Sequence, residues 1–388
     1  MRTKGFLPTL LFVGFTTAFA TAQEYTITDL GPLTPTAINS WAQVVGNYNN
    51  QAYIWNRGHM KALGLLPGGT FSSAAGINDS GVVTGTADGL GTVIDPAGNQ
   101  QCSGLVQPFL WEHNQLRGLG TVATPGEPGL DCYLFYLGTA INSSSNVVGT
   151  MPEGPSFYGY GFLWTKSTGI TLFGGSWTPS SANGINSNGQ IVGQNGVLFG
   201  VSYAASWQNG VATDLGALTN PPDLTTESSS ANGVNDAGQI VGWSTASPIS
   251  FLGACYDDPD LADCIVHAVL WTPEGVIQDL GTLPGDQYSI ALKINSSGQI
   301  IGSSGNTLAI EPIPVLQFQS SLLEVTGRPF IWSARHGMHD LNTLIPSNGW
   351  VLNTATDINV WGQIVGEGEL NGQPHGYLLT PKNPFQQR

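Results

Sequence analysis

Four aspartates crowd into CYDDPDLADC, residues 255–264: Asp257, Asp258, Asp260 and Asp263, bracketed by Cys255 and Cys264. Carboxylate oxygens gathered on one short segment suit a hard cation, and Ca2+ is the cation such a loop would take. The spacing is not that of an EF-hand loop and the segment lacks glycine, so a solvated acidic loop competes with that reading. Another acid, Asp357, stands two residues before Asn359, and Lys293 holds the same place before Asn295. Such a pair would serve proton transfer as an acid–base couple, but an ion pair is the simpler expectation. None of the six histidines has a Ser or Cys beside it in a nucleophile setting, and HExxH, GxSxG and Gly-rich phosphate motifs are missing. The residues assign no catalytic role and no organic cofactor, which leaves Ca2+ as the cofactor in view.

Aromatic rings are the other chemistry on offer. Trp177, Trp243, Trp350, Tyr133, Tyr136 and Tyr256 fall on long connections between repeating strands. Rings placed there would stack on sugars or anchor a protein partner, and would equally pin loops to the scaffold.

What must position these groups is a repeat. The phrase GINSNGQIVG, residues 184–193, recurs seven times, with its Asn at 39, 78, 142, 186, 235, 295 and 359. A Gly follows each Asn by seven residues, at 46, 85, 149, 193, 242, 302 and 366. Each unit reads as four short strands: A, ending in Ile-Asn; B, QIVG; C, ending in Trp; and D, ending in Leu-Gly. The turns NDSG, NSNG, NDAG and NSSG suit a type I turn with Gly in the left-handed place, and Ala42 and Ser145 in that place predict looser turns 1 and 3. The A strands are small-residue segments suited to a crowded axis. The C strands end in Trp55, Trp111, Trp164, Trp207, Trp271 and Trp332, with Leu379 in the seventh, a bulky set expected to fill the core.

The seventh unit lacks its D strand, while one D-type strand, TITDLG, stands alone near the N-terminus. A ring resolves this count. The reading is an all-β, seven-bladed β-propeller of four-stranded antiparallel blades, closed by the N-terminal strand. The Asn-to-Gly interval is constant, whereas the interval from that Gly to the C-strand Trp position runs 9, 26, 15, 14, 29, 30 and 13. Length variation therefore falls on the face carrying the B–C and D–A connections, where a binding function would be sought. Cys102, Cys132, Cys255 and Cys264 lie on those connections. Of the three pairings, Cys102–Cys132 and Cys255–Cys264 keep each bond within one loop neighbourhood.

Residues 1–22 carry Arg2 and Lys4, an apolar stretch and Ala20-Thr21-Ala22, and read as a secretory signal. Residues 23–381 form the propeller and 382–388 a polar tail. Removing the signal takes two of the 11 basic residues, so the remainder holds 9 against 26 acidic ones, a net of −17. That charge repels phosphate backbones, so nucleic acid is not an expected partner. No later apolar run is long enough to span a membrane.

The phrases VNDAGQIVG, HAVLW and DLGTL of the fifth unit resemble the HAF-repeat family of probable extracellular bacterial proteins, over roughly residues 25–380. The His-Ala-Phe that names the family is replaced in most units, as at Pro108-Phe109 and Ala205-Ser206. The resemblance implies export and a propeller-like repeat, and brings no catalytic residue or substrate. The expectation is a secreted, monomeric binding or scaffolding propeller for carbohydrate or extracellular protein. A polysaccharide-acting hydrolase or lyase using Asp357 or Asp260 is the alternative.

Overall fold

The computed structural model describes residues 24–94, 98, 100–122, 135–152, 159–174, 180–197, 201–218, 228–246, 265–312 and 321–382. Seven antiparallel sheets are arranged in a ring, a seven-bladed β-propeller. Blade 1 is typical: Thr34–Ile38, Val44–Tyr48, Gln51–Asn56 and His59–Ala62, hydrogen-bonded in that order. Apart from a 3-10 turn at Leu341–Thr343, the described residues fold as strands and their connections. In the seventh sheet the inner strand is broken into Trp350–Leu352 and Asp357–Ile358. The outer place of that sheet is taken by Tyr25–Asp29, which pairs antiparallel with Gln373–Pro381, Ile27 opposite Leu379.

The phrase Asn-x-x-Gly builds the A–B turns. In each, the Asn amide bonds to the carbonyl four residues on, and its Oδ1 accepts the amides two and four residues on. The fourth turn residue sits in the left-handed region in all seven blades, at φ 57° for Ala42 and 62° for Ser145. Turns 1 and 3 therefore keep the common geometry instead of loosening. Their side chains carry the steric cost that Gly avoids.

The seven repeat glycines answer a different demand. A Cβ added at any of them would lie between 1.8 and 2.2 Å from a carbonyl oxygen of the neighbouring inner strand. The approach arises where the inner strand bulges: the register of blades 1–6 slips three residues before the Asn, as between Ala182 and Gly184. Strand B continues past this Gly, as in Ile240–Thr245 through Gly242, so the glycine is internal to the strand.

The core lies between blades. Trp111, Trp164, Trp207, Trp271 and Trp332 are buried and Trp55 half-buried, packed against residues of adjoining sheets. One cluster joins Val365 and Leu378 of blade 7 to Ile38 and Val44 of blade 1, with Leu30 and Leu33. Each Trp supplies the large apolar area that a flat four-stranded sheet needs to adhere to its neighbour.

Candidate functional site

At the inner end of every blade the repeat Asn does more than shape a turn. Its Nδ2 donates to the backbone carbonyl of the Asn in the next blade. The bonds run Asn39 to Asn78, Asn78 to Asn142, Asn142 to Asn186, Asn186 to Asn235, Asn235 to Asn295, Asn295 to Asn359, and Asn359 back to Asn39. All seven bonds are 3.0–3.1 Å long and all seven side chains are buried. Beside this ring, Thr139, Asn183, Asn232 and Thr356 on the inner strands each donate to a carbonyl of the following blade. These polar groups hold blades together and present no free ligand set.

Asp357 belongs to this framework. Its two oxygens accept the amides of Ile38 in blade 1, at 2.9 Å, and of Ile358. Desolvation pushes its pKa up, opposed by the charge of Lys293 and by the two amides. The ion pair expected from the sequence is thus replaced by amide bonds, with Lys293 acting through its charge. Where the C strand begins, His267 meets Asp279 at 2.9 Å and His375 meets Asp29 at 2.8 Å. Arg328 holds the corresponding place in blade 6 and bonds Asp286 and Asp340. Desolvation would raise the pKa of Asp279, but the His267 bond, the Gly281 amide and the His267 charge outweigh it and leave it lowered.

The expected aromatic sites divide. Trp243 is buried against Val266, Tyr288 and Ile290, because strand B extends beyond Gly242 and carries it into the inter-blade core. Tyr136 is fully buried, its hydroxyl donating to the Val122 carbonyl and its ring 5.6 Å from Phe162. Neither offers a ring to a ligand, which corrects their placement among exposed loop aromatics. Trp350 is half-buried on blade 7, edge-on to His375 and Tyr377. Cys102 is buried with Val93 and Leu105, and no free cysteine occurs among the described residues. Trp177, Tyr133, Tyr256, Asp257, Asp258, Asp260, Asp263, Cys132, Cys255 and Cys264 lie outside the described residues.

On the face of the B–C connections, strand length sets the relief. The B–C hairpin of blade 2 pairs Val83–Ile94 with Gln100–Glu112, and that of blade 6 pairs Ile300–Pro312 with Ser321–Ser333. Thirteen residues extend about 43 Å, against roughly 17 Å for the five of Val44–Tyr48. Between them in the ring, blades 7 and 1 close flush with two-residue turns, Asn371-Gly372 and Asn49-Asn50, all at positive φ. On the short connections of blades 7 and 1, Tyr48, Asn49, Asn50 and Asn371 are exposed, with Trp350 and His375 half-buried in blade 7.

The opposite face carries two rings that sequence reasoning missed, Trp41 at 71 % exposure and Trp361 at 49 %. Each is the third residue of an Asn turn, where the other blades carry Ser, Asn or Ala. That break in the repeat was the available signal.

No family model matches the chain, and no curated protein matches it. Solved structures similar to it include an oligogalacturonate lyase in complex with manganese, 12 % identical with a TM-score of 0.47, covering 95 % of this chain and 96 % of that one. A chain of a mitotic checkpoint complex is 12 % identical with a TM-score of 0.48, covering 98 % and 99 %. The β-propeller domain of the Trilobed protease from Pyrococcus furiosus is 8 % identical with a TM-score of 0.48, covering 92 % and 95 %. At such identities and TM-scores none of these likenesses bears on what this chain does.

Proposed function

We propose that this chain is an extracellular binding or scaffolding propeller whose ligand, a carbohydrate or a protein, sits on the long-loop face. The surface that blades 7 and 1 present on that face carries the reading. It combines the exposed Tyr48 and half-buried Trp350 rings with the asparagines of two short turns, groups suited to contacting a ligand. Export rests on the signal-like residues 1–22. Disulfides Cys102–Cys132 and Cys255–Cys264 would then tie the long connections, and Ca2+ at Asp257, Asp258, Asp260 and Asp263 would order the 255–264 loop. No helix among the described residues is long and apolar enough to cross a membrane.

The enzyme alternative draws on Asp357, whose raised pKa suits a general acid. Glycosidic hydrolysis ordinarily needs two carboxylates flanking the bond, and Asp357 is the only acid on the seven inner strands. Its oxygens are also engaged with amides of blades 7 and 1. The test is a glycan and protein binding screen, with and without Ca2+, beside a polysaccharide-turnover assay. Tyr48→Ala and Trp350→Ala are each expected to weaken binding roughly tenfold. Turnover abolished by Asp357→Asn would reverse the assignment.

A further inference from the structure

We infer that the Asn-turn face holds a second site, for a neutral oligosaccharide, built on Trp41 and Trp361 of the adjoining blades 1 and 7. The argument begins with what these indoles already do. Trp361 Nε1 donates to the Ser40 carbonyl at 3.0 Å, and Trp41 Nε1 donates to the Asp79 carbonyl at 3.0 Å. In both cases the third residue of one turn reaches the second residue of the next. Asn188 makes the same contact, its Nδ2 donating to the Asp236 carbonyl at 3.1 Å. A small amide is therefore sufficient for the blade-to-blade bond. The indole adds nothing to that bond that Asn188 lacks, and leaves a large apolar ring in water.

Exposure of that ring on two successive turns is the observation that points to an occupant. Trp361 bonds to the residue immediately before Trp41, so the two indoles stand on adjoining turns of one face. Beside them, between turns 6 and 7, lies a depression of about 400 Å3 lined by Ser296, Ser297, Val360 and Trp361. Because both indole N–H groups are spent on the protein, these turns offer ring faces with serine hydroxyls at their margin. A pyranose matches that offer, with an apolar C–H face to lie on a ring and hydroxyls to meet the serines. The formal charge of −15 disfavours an acidic polymer, and the uncharged lining of the depression offers a basic one no partner, so the sugar is neutral. Two rings on neighbouring blades suit a chain of several sugars better than a monosaccharide.

This site deepens the binding reading and is separable from it, since it lies on the other face. Trp41→Asn and Trp361→Asn keep an amide donor of the Asn188 kind while removing the ring, so the blades stay joined. Cellohexaose, chitohexaose and mannohexaose are titrated into the purified protein, read by tryptophan fluorescence and calorimetry. The expected result is binding of at least one, with a fluorescence change, weakened roughly tenfold or more in each Asn variant at unchanged Tm. Unaltered affinity in the double variant, or no binding of any hexasaccharide, overturns the inference. Weakening by Tyr48→Ala and not by the Trp variants also overturns it, assigning the sugar to the long-loop face and leaving the binding reading intact. Sedimentation showing self-association that the Asn variants abolish overturns it too, since the rings would then be a contact between copies.

Discussion

Single residues show how tightly the repeat is written and where it is not optimal. Ala42 occupies the left-handed place at φ 57°, which costs an L-residue about 1–2 kcal/mol. Ala42→Gly removes that cost and adds back part of it as chain entropy, about 0.5–1 kcal/mol. A net gain of about 0.5–1 kcal/mol is expected in urea unfolding. Ser145 holds the same place, but its hydroxyl accepts a bond from Asn78 Nδ2 at 3.1 Å. Ser145→Gly gives up that bond, worth about 1 kcal/mol, and should come out near neutral. The same local chemistry thus predicts different outcomes, decided by whether the side chain has a partner in the preceding blade.

At the scale of elements, the repeat glycine is where two strands touch. A Cβ at Gly242 would fall 1.8 Å from the Ser230 carbonyl oxygen, and the atoms it meets are backbone of the inner strand, which leaves it no room. Gly242→Ala is therefore expected to cost about 3 kcal/mol, read as a lower denaturant midpoint at unchanged slope. The sequence expressed this contact legibly, because an invariant seven-residue interval is a backbone requirement. It expressed strand ends poorly. Taking the glycine as the end of strand B places Trp243 in a loop, whereas the strand runs three residues further, and pairing of Trp243 with Ser230 and Ala268 turns it into the core. Tyr136 was misplaced for a related reason, since its burial depends on Phe162 and Val122 of a different strand and connection. Trp41 and Trp361 sit in turns of constant length, where the intervals between motifs carry no signal.

For the whole molecule, the first and last described strands pair in one sheet. Tyr25 is fully buried and Leu30 nearly so, and burying two such side chains is worth about 2–3 kcal/mol each. Deleting residues 24–31 removes both, together with the pairing to Gln373–Pro381 and the Asp29–His375 contact. At roughly 2 °C per kcal/mol for a chain of this size, Tm is expected to fall by about 10 °C in calorimetry. An unchanged Tm would mean the ring does not depend on that strand. The asparagine ring has a further consequence. Each blade donates on one side and accepts on the other, always in the same rotational sense, so the contact between blades is heterologous. A heterologous contact closes on itself at one copy number and otherwise leaves two mismatched, adhesive ends. Any fragment of this propeller is such an open arc: alone it would add further arcs end to end, and supplied with its complement it would complete a circle.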